Sequence, residues 1–197
     1  MGEPANDEIG MAAACVRRLL EADAAYQDSV STSYDEVVVE VIARVGDVGS
    51  VGKLDIAALT TWKRLRADTR WAAELMSWPD AEVRRHTAQA VTFANDASLS
   101  VPDAAGQARG ALSPLPGFGT GDALASTVCF VAAPDRLAVY DRRAHAAVSE
   151  LGFDLNNRPG RYRRFMTIVE NCRAVLLEAG HDWSARRVDT ALFQLGG

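Results

Sequence analysis

Apolar residues recur at three- and four-residue intervals along almost the whole chain, and this period predicts α-helices. In 8–27 the apolar stripe includes Ile9, Val16 and Leu20. Residues 34–45 keep the same period, although their run of three valines would favour a strand by propensity alone. No other segment carries a secure strand pattern. We therefore predict an all-α fold, a compact helical bundle.

Glycines, prolines and polar clusters between the periodic segments predict where the helices begin and end. The predicted helices cover 8–27, 34–45, 54–66, a short segment around 71–76, 80–95, 102–112, 121–132, 141–152, 160–179 and 184–195. Their connections are short, which favours one helical domain over 1–197. Within it, 1–100 and 101–197 are candidate lobes.

The composition excludes several classes of protein. The 197 residues are 48% hydrophobic and 24% charged, which suits a packed core. No apolar run is long enough to span a membrane, and the acidic start MGEPANDEIG lacks the features of a signal peptide, so we expect a cytoplasmic protein. The three cysteines are widely spaced and are predicted to be buried free thiols. The three histidines lack ligand spacing, so neither a metal nor a cofactor is expected.

The formal charge of −5 conceals an asymmetry between two parts of the chain. Residues 136–187 hold ten arginines against six acidic residues, whereas 1–135 hold 11 basic and 19 acidic residues. A basic surface at one end can contact a polyanion while the acidic remainder keeps the protein soluble.

The stretch LPGFGT at 115–120 predicts a tight hairpin between two helices. Pro116 cannot continue the preceding helix, and Gly117 and Gly119 permit a positive φ and leave backbone amides uncovered. Thr120 is a candidate cap for the next helix. Uncovered amides at a helix N-terminus bind an anion without a basic side chain. The alternative is an ordinary helix–helix connection with glycines at a cap.

This hairpin resembles the helix-hairpin-helix DNA-binding motif, in which backbone amides contact a DNA phosphate. The residues that match are Leu112, Leu115, Pro116, Gly117, Phe118, Gly119 and Ala123, within 104–133. In the base-excision DNA glycosylases that carry this motif, a catalytic aspartate follows at the start of a helix. Asp141, 22 residues after Gly119, is similar in position. The resemblance implies double-stranded DNA as partner, phosphate contacts at 116–120, and Asp141 as the catalytic carboxylate.

An ionised carboxylate stabilises the positive charge that develops on deoxyribose when the N-glycosidic bond breaks. Because the base must first leave the stack, we expect Asp141 and the hairpin to border one hollow that admits a single nucleotide. Aspartate is also a favoured N-cap, so Asp141 before RRAHAAVSEL can instead be a cap without a catalytic role.

The resemblance is incomplete just after the hairpin and just after Asp141. Bifunctional relatives carry an amine nucleophile where this chain has Thr120-Gly121-Asp122, so a monofunctional glycosylase is predicted. Arg142 and Arg143 stand where the family often has threonine or valine and then histidine, and both are candidate contacts to the pocket or the DNA. The cysteines that hold an iron–sulfur cluster in some relatives are absent. A non-catalytic DNA-binding or protein-interaction module on the same fold is the alternative.

Two further segments carry candidate DNA contacts. In GKLDIAALTTWKRL, Trp62 is a candidate stacking wall for an extruded base, and Lys53 and Lys63 are candidate contacts to the DNA or the pocket. The preferred interpretation places Trp62 in the core and Lys63 on a solvated face. RPGRYRR at 158–164 either follows a phosphate backbone or forms a basic surface turn.

Overall fold

The computed structural model describes residues 4–197, and their side chains from residue 10 onward. This part of the chain contains ten α-helices and no strand, which confirms the all-α prediction. The helices are Pro4–Ser29 (α1), Glu36–Val48 (α2), Lys53–Trp62 (α3), Arg70–Ser77 (α4), Asp80–Asn95 (α5), Val101–Leu112 (α6), Ala123–Ala132 (α7), Arg142–Glu150 (α8), Arg161–Glu178 (α9) and Ala185–Leu195 (α10). None of these helices is long and apolar enough to cross a bilayer.

The central helix of the fold is α7, in which every residue from Leu124 to Ala132 is buried. Helices α2, α3, α5 and α6 all pack against it, while α1 packs on α9 and α10. One continuous apolar core runs through these layers and draws side chains from both halves of the sequence. The division into two lobes, 1–100 and 101–197, stays a prediction.

The third helix ends four residues earlier than predicted. The sequence pattern extends it to 66, but the structure ends it at Trp62. Leu65 N–H donates to the Thr60 carbonyl (2.9 Å) and Arg64 N–H to the Thr61 carbonyl (3.0 Å), while Arg64 has a φ of 55°. These two bonds around one left-handed residue are a Schellman ending. The prediction of a longer helix is therefore wrong.

A turn at 134–136 and then a buried segment without regular secondary structure, 137–140, connect α7 to Asp141 and α8. Tyr140 N–H donates to Ser126 Oγ on α7 (2.9 Å), and Val139 N–H donates to Asp189 Oδ2 on α10 (2.7 Å). Two helices thus satisfy the backbone of this segment, as buried amides require. The position of Asp141 is fixed by these contacts.

Candidate functional site

Asp141 uses its two carboxylate oxygens for different partners. Its backbone is extended and Oδ1 accepts a hydrogen bond from Arg143 N–H (2.7 Å), so Asp141 is the N-cap of α8. Oδ2 lies 2.9 Å from Lys63 Nζ. The side chain is 23% exposed. Capping therefore occupies one oxygen and leaves the other beside an amine at an accessible surface.

Asp141 is ionised at neutral pH. Partial burial opposes ionisation, but the charge and hydrogen bond of Lys63, together with the Arg143 N–H, outweigh it. The pKa of Asp141 therefore lies below its ordinary value of 3.8. The carboxylate carries the negative charge that the predicted chemistry requires.

A cavity of about 480 Å³ opens beside Asp141. Its volume falls within the roughly 300–1,000 Å³ of ligand pockets in proteins. The end of α1 and the turn after it, the end of α3, the segment leading into α8, and α10 all contribute to its walls. Four residues singled out in the sequence meet there: Trp62, Lys63, Asp141 and Arg143.

Trp62 lies in the core and at the cavity wall at once. It is 7% exposed, its ring stacks on Phe130 with centroids 6.5 Å apart, and its indole N–H donates to Asp35 (3.0 Å). The preferred interpretation of Trp62 as a core residue agrees with this burial. Its other half, which placed Lys63 on a solvated face, is wrong, because the Lys63 side chain is 12% exposed and paired with Asp141. Little of the Trp62 ring is free to stack against a ligand.

Phe193 on α10 is a cavity aromatic that the sequence reasoning missed. The ring is half-buried, with Lys63 Nζ 6.0 Å and the Arg143 guanidinium 4.8 Å from its centroid. Both distances are typical of cation–π contacts. The signal in the sequence was an aromatic residue outside the apolar stripe of the last helix. Phe193 thus offers an aromatic surface next to the Lys63–Asp141 pair.

An ion pair within α10, between the partly buried Arg186 and the buried Asp189, was also missed in the sequence and supports the cavity from the core side. Arg186 Nη1 donates to Asp189 Oδ1 (2.7 Å), and the same guanidinium lies 5.3 Å from the Trp62 ring centroid. Burial raises the pKa of Asp189 although Arg186 and the Val139 N–H favour its charged form. Asp189 connects this pair to the backbone two residues before Asp141.

The predicted hairpin lies between α6 and α7 and is anchored by apolar contacts. Leu115 and Phe118 are buried, and Gly117 has a φ of 87°. A Cβ on Gly117 would overlap the ring of Trp71, so only glycine fits there. The prediction that Thr120 caps the next helix is wrong, because α7 starts at Ala123 with Asp122 in the N-cap position.

The tip of the hairpin presents uncovered amides. Gly119, Thr120 and Gly121 are exposed. Within residues 4–197, no acceptor is found for the N–H groups of Gly117, Gly119, Thr120 or Gly121. Pro116, half-buried, has no N–H to donate. Such a cluster of free amides is suited to an anion.

The hairpin and Asp141 are connected through Arg161 but do not share the cavity. Asp122, at the end of the hairpin, pairs with Arg109 and Arg161 (2.8 Å each), and the Arg161 guanidinium lies 4.6 Å from the ring centroid of Tyr140, next to Asp141. None of residues 115–120 lines the cavity. The common hollow expected from the sequence is therefore not found.

Other candidate contacts lie away from the cavity. Lys53 Nζ donates to the carbonyls of Met76 (3.1 Å) and Trp78 (2.9 Å), a structural role between α3 and α4. Arg142 is exposed and does not line the cavity. In 158–164, Arg164 donates to the carbonyls of its own loop.

The three cysteines are free and buried, as predicted. Among the described residues, no group of three or more His, Cys, Asp or Glu side chains is placed to hold a metal ion.

Comparison with known proteins gives no match: no protein-family model, no curated protein and no solved structure is similar to this chain. Any functional proposal therefore rests on the residues of the cavity and the hairpin.

Proposed function

We propose that the protein binds double-stranded DNA and acts as a glycosylase of the base-excision type, cleaving the N-glycosidic bond of a nucleotide extruded into the cavity beside Asp141. The observation that carries this proposal is the ionised Asp141 carboxylate at the wall of a cavity of about 480 Å³. An aromatic ring, Phe193, lines the same cavity. A base-sized space, an aromatic surface and a fixed negative charge are what this reaction needs.

In the proposed reaction Asp141 stabilises charge. Departure of the base leaves positive charge on the sugar, and a carboxylate held next to C1′ lowers the energy of that state. The N-cap bond from Arg143 N–H fixes the side chain before the substrate arrives. No reorganisation of the carboxylate is then required during the reaction.

The hairpin contributes affinity in this proposal. The uncovered amides of Gly117, Gly119, Thr120 and Gly121 bind one DNA phosphate at a distance from the cavity, so the phosphate contact and the reacting nucleotide lie at separate points on the duplex. Arg161 links the two regions through Asp122 and Tyr140.

Asp141→Asn tests the proposal. Asparagine keeps the shape and a cap acceptor but removes the charge, so we expect unchanged duplex binding and a loss of base release of at least about 100-fold. The measurement is release of the altered base from a panel of duplexes that each contain one modified base. Asp154→Asn, at an exposed acid outside the cavity, is the matched control. Base release by Asp141→Asn at the rate of the parent would contradict the proposal. Absence of release from every duplex would leave the non-catalytic alternative.

A second candidate activity is favoured by the Lys63 amine 2.9 Å from Asp141 Oδ2. The sequence has no lysine directly after the hairpin, but the fold brings Lys63, at the C-terminal end of α3, next to the Asp141 carboxylate. In this candidate Lys63 first gives up a proton to water, and the free amine attacks C1′ while the base leaves with the electron pair of the broken C–N bond. The bound nitrogen then loses a second proton as the bond between C1′ and O4′ breaks and O4′ takes up a proton, which gives a Schiff base. Removal of a C2′ proton then breaks the bond between C3′ and its phosphate oxygen.

Borohydride separates the two activities, because it reduces a Schiff base to a stable amine. With borohydride present, a duplex with one abasic site should become covalently attached to the parent and not to Lys63→Gln. The control variant Lys53→Gln should be attached like the parent. Strand cleavage without trapping at Lys63, or trapping that persists in Lys63→Gln, would contradict this second candidate.

A further inference from the structure

Arg64 has an unusual backbone for its residue type. It is the one non-glycine residue with a positive φ among residues 4–197, at 55°. It occupies the left-handed position of the α3 ending, where glycine is favoured because a Cβ is strained there. Its side chain is exposed and lines the cavity, with the guanidinium 5.5 Å from the ring centroid of Tyr34. Backbone strain of this kind concentrates at functional positions.

Arg143 provides a second exposed guanidinium at the same cavity. It is the second residue of α8, two positions after the Asp141 cap, and its ring contact is with Phe193. Within the described part of the chain, neither Arg64 nor Arg143 forms a salt bridge. Both charges are therefore available to a ligand.

The cavity carries a surplus of positive charge. Four basic side chains line it (Lys63, Arg64, Arg143 and Arg186) against two carboxylates (Asp141 and Asp189). Lys63 and Arg186 are paired with those carboxylates. The two basic groups left over are the exposed arginines, which indicates an anionic ligand at the opening of the cavity.

We propose that Arg64 and Arg143 bind the two phosphodiester groups that flank the nucleotide extruded into the cavity. This inference rests on the proposed function and defines its substrate as a nucleotide within a polymer, not a free nucleoside. Guanidinium groups bind phosphate oxygens through two parallel hydrogen bonds, which fixes the sugar between them. The extruded sugar would thereby be held against Asp141.

The test is the salt dependence of duplex binding. The probe is a fluorescent duplex with one tetrahydrofuran abasic analogue, and its dissociation constant is measured by anisotropy over a series of KCl concentrations. Each lost phosphate contact should reduce the slope of log affinity against log salt by about 0.9. We expect this reduction in Arg64→Gly and in Arg143→Gln, and about twice as much in the double variant.

The melting temperature of Arg64→Gly serves as an internal control, because glycine adopts the left-handed backbone without strain. Its melting temperature should equal or exceed that of the parent while its binding weakens. Should Arg64→Gly melt lower, Arg143→Gln decides the question. Matched controls are Arg66→Gln and Arg85→Gln, since both arginines are exposed, paired with Asp68 and Glu82, and outside the cavity. The inference would be overturned if both cavity variants kept the salt slope of the parent, or if the control variants lost as much slope as the cavity variants.

The outcomes keep this inference apart from the proposed function. Reduced slopes without release of any altered base would support the phosphate contacts and contradict the glycosylase. Base release by the parent, together with salt slopes in both variants equal to that of the parent, would support the glycosylase and contradict the phosphate contacts.

Discussion

Lys63 and Asp141 form an ion pair with 2.9 Å between Nζ and Oδ2, although 78 residues separate them in the sequence. Lys63 follows α3 at its C-terminal end, and Asp141 precedes α8 as its N-cap. The pair joins two helix ends at the wall of one cavity. Because Lys63 lowers the pKa of Asp141, this ion pair makes the stability of the protein depend on pH.

We predict that Asp141 contributes pH-dependent stability. Its pKa is below 3.8 in the folded state, so the unfolded chain binds the proton more tightly. The contribution is fully present above the unfolded pKa of about 3.9 and is lost as pH falls through the folded pKa. Urea unfolding between pH 2 and pH 7 should show this loss in the parent and a smaller one in Asp141→Asn. Parallel curves for the two proteins would contradict the prediction.

We predict that the two hairpin glycines respond differently to substitution. Gly119 has ordinary space around its Cβ position, so Gly119→Glu and Gly119→Gln should fold normally. The negative charge of Gly119→Glu should lower duplex affinity at least about tenfold, whereas Gly119→Gln should lower it less. Duplex binding by Gly119→Glu at parent strength would show that the hairpin holds no phosphate.

Gly117→Ala should act on stability instead. The positive φ of Gly117 and the ring of Trp71 leave no room for a methyl group, so a loss of at least about 1 kcal/mol in unfolding free energy is expected. Thermal and urea unfolding measure it, with Gly110→Ala, in the interior of α6 and with open space around its Cβ position, as control. Equal stabilities of Gly117→Ala and the parent would rule out the strained turn.

We predict that Asp189→Ala destabilises the fold by about 3–5 kcal/mol, because it leaves the partly buried Arg186 without its closest carboxylate and the buried Val139 N–H without an acceptor. Asp189→Asn, which retains an acceptor, should cost less. Urea unfolding of the two variants measures the difference. If the unfolding free energy of Asp189→Ala equals that of the parent within experimental error, the structural role of the pair is contradicted.

We predict different effects for Trp62 and Phe193, two of the aromatic residues that line the cavity. Trp62→Ala removes a core side chain and should cost about 3–5 kcal/mol of stability. Phe193→Ala removes a half-buried ring and should cost less stability but reduce base release more than binding of an abasic duplex. Unfolding curves and release assays on both variants compare them. Normal release by Phe193→Ala would exclude Phe193 as a stacking surface.

Local signals predicted the helices and the capping position of Asp141, because periodicity, prolines and cap residues act over a few residues. The end of α3 was missed since arginine gives no sign of a left-handed backbone, which glycine would have given. Thr120 is a candidate cap for the same local reasons, whereas the residue in the N-cap position, Asp122, is held by Arg109 and Arg161 from two other helices.

The cavity itself could only be predicted in part. Trp62, Asp141 and Arg143 were singled out as separate candidates, but the pairing of Lys63 with Asp141 depends on how α3 and α8 meet in space. Phe193 was missed because its role depends on cations from two other segments. Tertiary contacts of this kind leave no pattern in a single sequence.

The last helix supplies the cavity with Arg186, Asp189 and Phe193. A nonsense mutation just before Ala185 would therefore remove an entire wall of the cavity, along with the acceptor for the Val139 N–H.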